Sequence, residues 1–75
     1  MEISSYNAML PGNIRRIINE KGLKQGAIAE KVGYSNQQFS DILNGRRLIK
    51  PYDIVMIAGA LGVAVGDLFE DKEAD

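Results

Sequence analysis

Apolar residues recur at every third or fourth position through most of the chain, and no long alternation of apolar and polar residues occurs. Such spacing predicts helices, because positions three and four apart share one face of an α-helix. The inward-facing residues of the predicted segments are Ile14, Ile17 and Ile18, then Ile28, Ala29 and Val32, then Phe39, Ile42 and Leu43, then Ile54, Ile57, Ala58 and Leu61, and last a short stretch at 64–69. The fold class is therefore predicted to be all-α, a compact bundle of four to five short helices.

Residues that begin or end helices separate these segments. Ser35 is a good N-cap for the third helix, and Pro51 suits the first turn of the fourth. Gly33 ends the second helix, and Asn44 with Gly45 ends the third, since glycine and asparagine tolerate the left-handed conformation. The links between helices are therefore predicted to be short.

Two helix starts are left open by the sequence. The second helix begins at Lys24 or at Gln25. The first helix begins after Asn7 as its N-cap, with Pro11 tolerated early, or it begins at Gly12. The chain is accordingly divided into an N-terminal arm or helix extension (1–10), a helical domain (11–70) and an acidic tail (71–75).

The composition excludes several kinds of site. A chain of 75 residues forms at most one small domain. Since it has no cysteine and no histidine, disulfides, zinc-finger sites and histidine-based catalytic triads are ruled out. No metal, cofactor or enzymatic activity is expected. The longest uncharged run, 54–66, is 13 residues, too short to span a membrane, and the N-terminus has no targeting signal, so a cytoplasmic location is expected.

Charge is distributed unevenly along the chain. The net charge is −1, but residues 12–51 hold eight basic and three acidic residues, a charge of +5. From residue 52 onward six acidic residues face one lysine, a charge of −5. This polarity is compatible with a nucleic-acid-binding face at one end of the domain. By itself it is equally compatible with an ordinary solvated helical surface.

The spacing of five residues, Gln25, Ala29, Gly33, Phe39 and Ile42, is typical of a helix-turn-helix. A small residue at Ala29 lets two helices cross closely, and Gly33 makes the sharp turn between them. Phe39 and Ile42 point into the core and fix the direction in which the third helix projects. The opposite face of that helix is polar, as in a recognition helix that enters the major groove of DNA.

These motifs resemble the Cro/repressor-type helix-turn-helix family, often called the XRE family, over residues 10–69. The resemblance is carried by the stretches at 20–25, 28–33, 42–47, 58–63 and 67–69, together with Ser35. It implies a lambda-repressor-like domain with the helix-turn-helix at helices 2 and 3. It also implies a transcriptional regulator, here expected to be a bacterial or prophage repressor, that binds a palindromic operator in double-stranded DNA as a homodimer. No small-molecule ligand and no membrane partner are expected.

The sequence departs from the family at two places. Family members often carry an arginine where this chain has Ile18 and a glutamate where it has Leu43, and the two side chains pair as a partly buried salt bridge. Replacing both partners by apolar residues is often neutral or stabilising, so the double change fits the fold. Asp41 stands where many relatives have a basic or amide residue. Either it accepts from a cytosine amino group, which we favour, or the helix lies less deeply in the groove.

Roles are assigned to three groups of residues. The predicted base contacts are Asn36, Gln37, Gln38, Ser40 and Asp41, with Gln37 the first choice because glutamine pairs bidentately with adenine. The predicted phosphate contacts are Gln25, Asn44, Arg46, Arg47 and Lys50. Tyr52 either packs or contacts phosphate. Four apolar residues either complete the core or form dimer contacts, and these are Val63, Val65, Leu68 and Phe69.

A different class of function uses the same fold. An antitoxin or adaptor would bind a partner protein, and the acidic C-terminal segment is compatible with that alternative. The outward stripe of the third helix discriminates between the two. Gln37, Ser40 and Asn44 near arginines favour DNA, whereas a protein-binding variant would expose an apolar patch there.

Overall fold

The fold is all-α in a computed structural model of the chain, which describes the backbone of residues 3–70 and the side chains of residues 9–70. Helix α1 spans Ile3–Lys21, α2 Gln25–Val32, α3 Asn36–Leu43 and α4 Pro51–Leu61, and a 3₁₀ helix follows at Val65–Phe69. No strand occurs within residues 3–70. This confirms the predicted bundle of four to five short helices. The predicted acidic tail lies outside the described residues.

Local capping chemistry sets most helix boundaries. The Ser35 hydroxyl accepts from the Gln38 amide N–H at 3.0 Å, and the Gln38 side chain accepts from the Ser35 N–H at 2.8 Å, so α3 begins in a capping box. Gly33 ends α2 with a φ of 79°, as a left-handed C-cap must. Pro51 occupies the first turn of α4. These three boundaries confirm the sequence predictions.

The first helix begins earlier than predicted. Both proposed starts, Asn7 and Gly12, are wrong, because α1 is already helical at Ile3 and continues through Pro11. An internal proline removes one backbone hydrogen bond and strains the preceding turn. Here Leu10 and Ile14, on either side of the proline, are both buried in the core. Their packing offsets the local cost, which sequence rules for helix ends do not include.

One hydrophobic core joins all the elements. The buried apolar residues are Leu10, Ile14, Ile17, Ile18, Ile28, Ala29, Val32, Phe39, Ile42, Leu43, Ile49, Ile57, Ala58, Leu61 and Leu68. Helix α1 packs against α3 and the 3₁₀ helix, while α2 packs against α3 and α4. As a result α3 is held from two sides and keeps its polar face outward. No described helix combines the length and the apolar character that crossing a membrane requires.

Candidate nucleic-acid interface

The outer face of α3 is polar along its length. Asn36, Gln37 and Gln38 are exposed at its start, and Ser40 and Asp41 are half-buried further along. The Gln37 amide donates to the Asp41 carboxylate at 2.9 Å. This bond leaves Gln37 one N–H donor and its carbonyl oxygen for a base edge, and it partly screens the Asp41 charge. The structure thus brings all five predicted base-contact residues onto one short helix.

Gln38 has a second task within the protein. Its side-chain oxygen already accepts from the Ser35 N–H as part of the α3 capping box. Contact with a base through that oxygen would require the cap to open or to share its acceptor. Among the predicted base contacts, Asn36 and Gln37 therefore have the greatest freedom to read DNA.

Arg15 of α1 holds the C-terminal end of α3. Its Nε donates to the Leu43 carbonyl at 3.3 Å, and its Nη2 donates to Asn44 Oδ1 at 2.7 Å. Asn44 in turn donates to Ser40 Oγ at 3.2 Å. A cation at this end of a helix also interacts favourably with the helix dipole. Sequence reasoning missed Arg15, because nothing in its local pattern shows that α1 and α3 meet at this point.

The N-terminus of α2 lacks the side-chain hydrogen bonds found at the following helices, although the first-turn N–H groups of α4 and the 3₁₀ helix also have no side-chain cap. The N-cap of α2 is Lys24, and no side chain there accepts from the first-turn N–H groups. Ser35 caps α3, and the carboxylates of Asp53 and Asp67 accept from the N-cap N–H groups of α4 and the 3₁₀ helix, each at 3.0 Å. An uncapped helix N-terminus presents free N–H donors and a positive partial charge, which suit a phosphate oxygen.

This uncapped end lies beside the start of α3. A Cβ placed on Gly26 would meet the Asn36 side-chain oxygen at 3.4 Å, so the first turns of α2 and α3 approach each other. Gln25, the predicted phosphate contact of α2, is exposed here. The side chains expected to read bases and the backbone donors suited to phosphate therefore occupy one continuous edge of the domain.

The loop 44–50 carries the remaining predicted phosphate contacts. Arg46, Arg47 and Lys50 are exposed, whereas Ile49 is buried between them. The Arg46 N–H donates to the Asp41 carbonyl at 2.8 Å, which ties the loop to the end of α3. This places Arg46 next to the C-terminal end of α3, whereas the uncapped N-terminus of α2 lies by its N-terminal end.

A buried carboxylate supports the base of this loop. Asp53 is only 7% exposed, and it accepts from the Tyr34 hydroxyl and from the Lys50 N–H. Burial, together with the hydrogen bond to Asp53 and the charge of that carboxylate, raises the pKa of Tyr34 to about 12. The phenol therefore stays protonated near neutral pH and remains a donor. The sequence gave no sign that these two side chains meet, because they lie 19 positions apart.

The four residues considered for dimer contacts differ in exposure. Leu68 is 0% exposed and belongs to the core, while Val63 and Phe69 are half-buried against it, and Val65 is 39% exposed. Apolar side chains with a larger exposed fraction lie elsewhere, at Leu48 (67%), Tyr52 (70%) and Val55 (60%). Tyr52 and Val55 are three apart on α4 and share a face. Of the alternatives for Leu68, the structure supports the core, and it leaves Tyr52 exposed.

Comparisons with known proteins identify the family and the fold. Residues 14–68 match the sequence model of the family described as Helix-turn-helix. A hypothetical transcription factor, NHTF from Neisseria, superposes with a TM-score of 0.83 at 27% identity, covering 99% of this chain and 85% of that one. The clp gene regulator ClgR from C. glutamicum superposes with a TM-score of 0.81 at 23% identity, covering 85% and 83%, a likeness of fold alone. No protein of curated function matches the chain in sequence.

Proposed function

Since the chain belongs to the Cro/repressor type of the helix-turn-helix family, we propose that it is a sequence-specific, double-stranded DNA-binding transcriptional regulator that acts as a repressor in the bacterial cytoplasm. One observation carries the proposal. The polar face of α3 lies between an uncapped, positively polarised end of α2 and the cationic loop 44–50. Base-edge donors flanked on both sides by phosphate-binding groups match what the major groove and its two backbones present.

The proposal gives each group a separate role. Asn36 and Gln37 contact base edges, and Ser40 and Asp41 add further contacts along the groove. The N–H groups at the start of α2 and the side chain of Gln25 bind one backbone, while Arg46, Arg47 and Lys50 bind the other. Asn44 is held by Arg15, so its contribution is to present the end of α3. No step in this function requires catalysis, a metal or a cofactor.

Two copies on a palindromic operator complete the proposal. One domain of this size supplies few phosphate contacts, and a two-fold dimer doubles them and makes half-site spacing part of the specificity. Val65 remains available for the dimer contact, and Leu48, Tyr52 and Val55 add a larger apolar surface than the sequence suggested.

That apolar surface is also the observation that favours the second candidate. An antitoxin or adaptor would use the exposed Tyr52 and Val55, which share a face of α4, to hold a partner protein, since neighbouring exposed apolar side chains mark interaction sites. They do not lie on α3, whose outward face is polar. The two candidates thus differ in whether the polar face of α3 is used, and a DNA-binding experiment separates them.

Selection of bound duplexes from a random DNA library, followed by salt titration of the selected site, tests the proposed function. We expect an enriched palindrome and a steep fall of affinity with salt, because each neutralised phosphate releases a counterion. The half-site spacing follows from the selected sequence. Only weak binding without any enrichment would overturn the DNA assignment and favour a partner protein.

Adding an N-cap side chain to α2 is expected to stabilise the protein and to weaken its binding to DNA. Lys24→Ser places a hydroxyl where the extended N-cap backbone lets it accept from the first turn, and should raise the free energy of unfolding by about 0.5–1 kcal/mol. The same hydroxyl competes with the phosphate for those N–H groups, so affinity for DNA should fall. Thermal unfolding and a binding titration measure the two effects.

Lys24→Ala is the matched control, because it removes the same positive charge without adding an acceptor. We expect Lys24→Ser to bind DNA more weakly than Lys24→Ala while being more stable. Equal or tighter binding by the serine variant would show that the N-terminus of α2 does not hold a phosphate.

A further inference from the structure

The pair formed by buried Asp53 and half-buried Tyr34 has a role that the helix-turn-helix itself does not require. We propose that Tyr34 and Asp53 are positioning residues that set Arg47 of the loop 44–50 against the DNA backbone. This inference rests on the proposed function. It assigns part of the phosphate binding to one buried and one half-buried residue that act through the loop rather than by contact with DNA.

The contacts of Asp53 join three parts of the chain. Its carboxylate accepts from the hydroxyl of Tyr34, which lies in the turn between α2 and α3, and from the backbone N–H of Lys50, at the end of the loop. Asp53 itself lies in the first turn of α4. A single buried charge thereby connects the turn before the recognition helix with the loop after it.

This connection fixes the second end of the loop. At its first end the Arg46 N–H bonds to the Asp41 carbonyl, and in its second half Ile49 is buried in the core. At its second end the Lys50 N–H donates to the Asp53 carboxylate at 3.0 Å. The backbone carrying Arg47 is therefore held on both sides, which limits the directions in which its exposed guanidinium can point.

Arg47 also lies within electrostatic reach of the pair. Its charge acts to lower the pKa of Tyr34, although burial and Asp53 outweigh it. A guanidinium near the pair, on a loop held at both ends, loses less conformational freedom when it binds phosphate.

The chain contains a matched residue without the second partner. Asp67 accepts from the Ala64 N–H at 3.0 Å, as Asp53 does from the Lys50 N–H. It lies in the 3₁₀ helix that packs on α1 and α4, and it is half-buried. Asp67 thus performs the same local capping away from α3, and Asp67→Asn serves as the control because it weakens an equivalent interaction that is not connected to the loop 44–50.

Tyr34→Phe tests the pair, because it removes the hydroxyl and keeps the ring. For DNA binding by the full chain, we expect the slope of log affinity against log salt to fall by about one unit, the loss of one phosphate contact. The ranking of DNA sequences should stay the same. In an Arg47→Ala background, Tyr34→Phe should cause little further loss, because both changes remove the same contact. Asp67→Asn should leave the salt slope unchanged.

Additive losses in the double variant, or an unchanged slope in Tyr34→Phe, would overturn the proposal.

A second measurement does not depend on DNA. Amide hydrogen exchange of the free protein should be faster at Lys50, whose N–H bonds to Asp53, in Tyr34→Phe, and unchanged where α1 meets the 3₁₀ helix through the 2.7 Å bond from Asn13 to the Leu68 carbonyl. Unchanged exchange in the loop refutes the positioning role. Failure of the unaltered protein to bind DNA refutes the proposed function instead.

Discussion

Leu43→Glu is expected to lower the free energy of unfolding by about 3–5 kcal/mol, the largest effect of any single change considered for this protein. Leu43 is buried at the end of α3, and Ile18 is buried in the same core on α1. A glutamate at position 43 therefore places a carboxylate among aliphatic side chains without a partner. Equilibrium unfolding by urea, followed by circular dichroism, measures the loss.

Adding Ile18→Arg to Leu43→Glu is expected to restore most of that stability. The double variant recreates the arginine and glutamate that family members often have at these two positions, so the carboxylate regains a charged partner. Ile18→Arg alone is the control and should also be strongly destabilising. If the two single losses simply add in the double variant, α1 and α3 do not meet through these residues.

Arg15 provides an internal check on this experiment. Its guanidinium already reaches the Leu43 carbonyl at 3.3 Å and is exposed to solvent. A loss much smaller than expected for Leu43→Glu would mean that Arg15 pairs with the new carboxylate. In that case adding Arg15→Ala to Leu43→Glu should bring the full loss back.

Gln37→Ala is expected to weaken binding to the preferred operator by about 1–3 kcal/mol and to relax the preference at one base pair. Gln37 is exposed on α3, and its amide keeps a free donor and a free acceptor beside the bond to Asp41. Loss of those groups removes base reading without disturbing the core. Affinities for the selected site and for its single-base variants measure both effects.

Arg46→Ala is the contrasting variant for Gln37→Ala. It should weaken binding to all sequences alike and lower the salt slope by about one unit, because Arg46 is assigned to phosphate. Small and equal effects from both variants would contradict the division into base and phosphate contacts.

Asp41→Asn decides between the two hypotheses for Asp41, a contact with a cytosine amino group or a shallower position of α3 in the groove. A changed preference at one C·G pair supports base reading, and tighter binding to every sequence supports the shallower position.

The sequence by itself determined the features that depend on neighbouring residues. The apolar period predicted every helix, and the caps at Ser35, Gly33 and Pro51 fall where the local rules placed them. The spacing around Gly33 was sufficient to indicate the helix-turn-helix, because a tight turn between two packed helices restricts the residue types near it. The polar outer face of α3 followed directly from the inward positions of Phe39 and Ile42.

The tertiary structure alone decided the features that join distant parts of the chain. The start of α1 before Pro11 depends on packing in the core. The hydrogen bonds of Arg15 at the end of α3 and the pair of Tyr34 with Asp53 depend on residues 19 or more positions apart. Leu68 shows the same limit, since its apolar character fitted a core or a dimer contact equally well until its neighbours were known. Local chemistry fixes where helices begin and end, whereas burial and long-range contacts are properties of the assembled core.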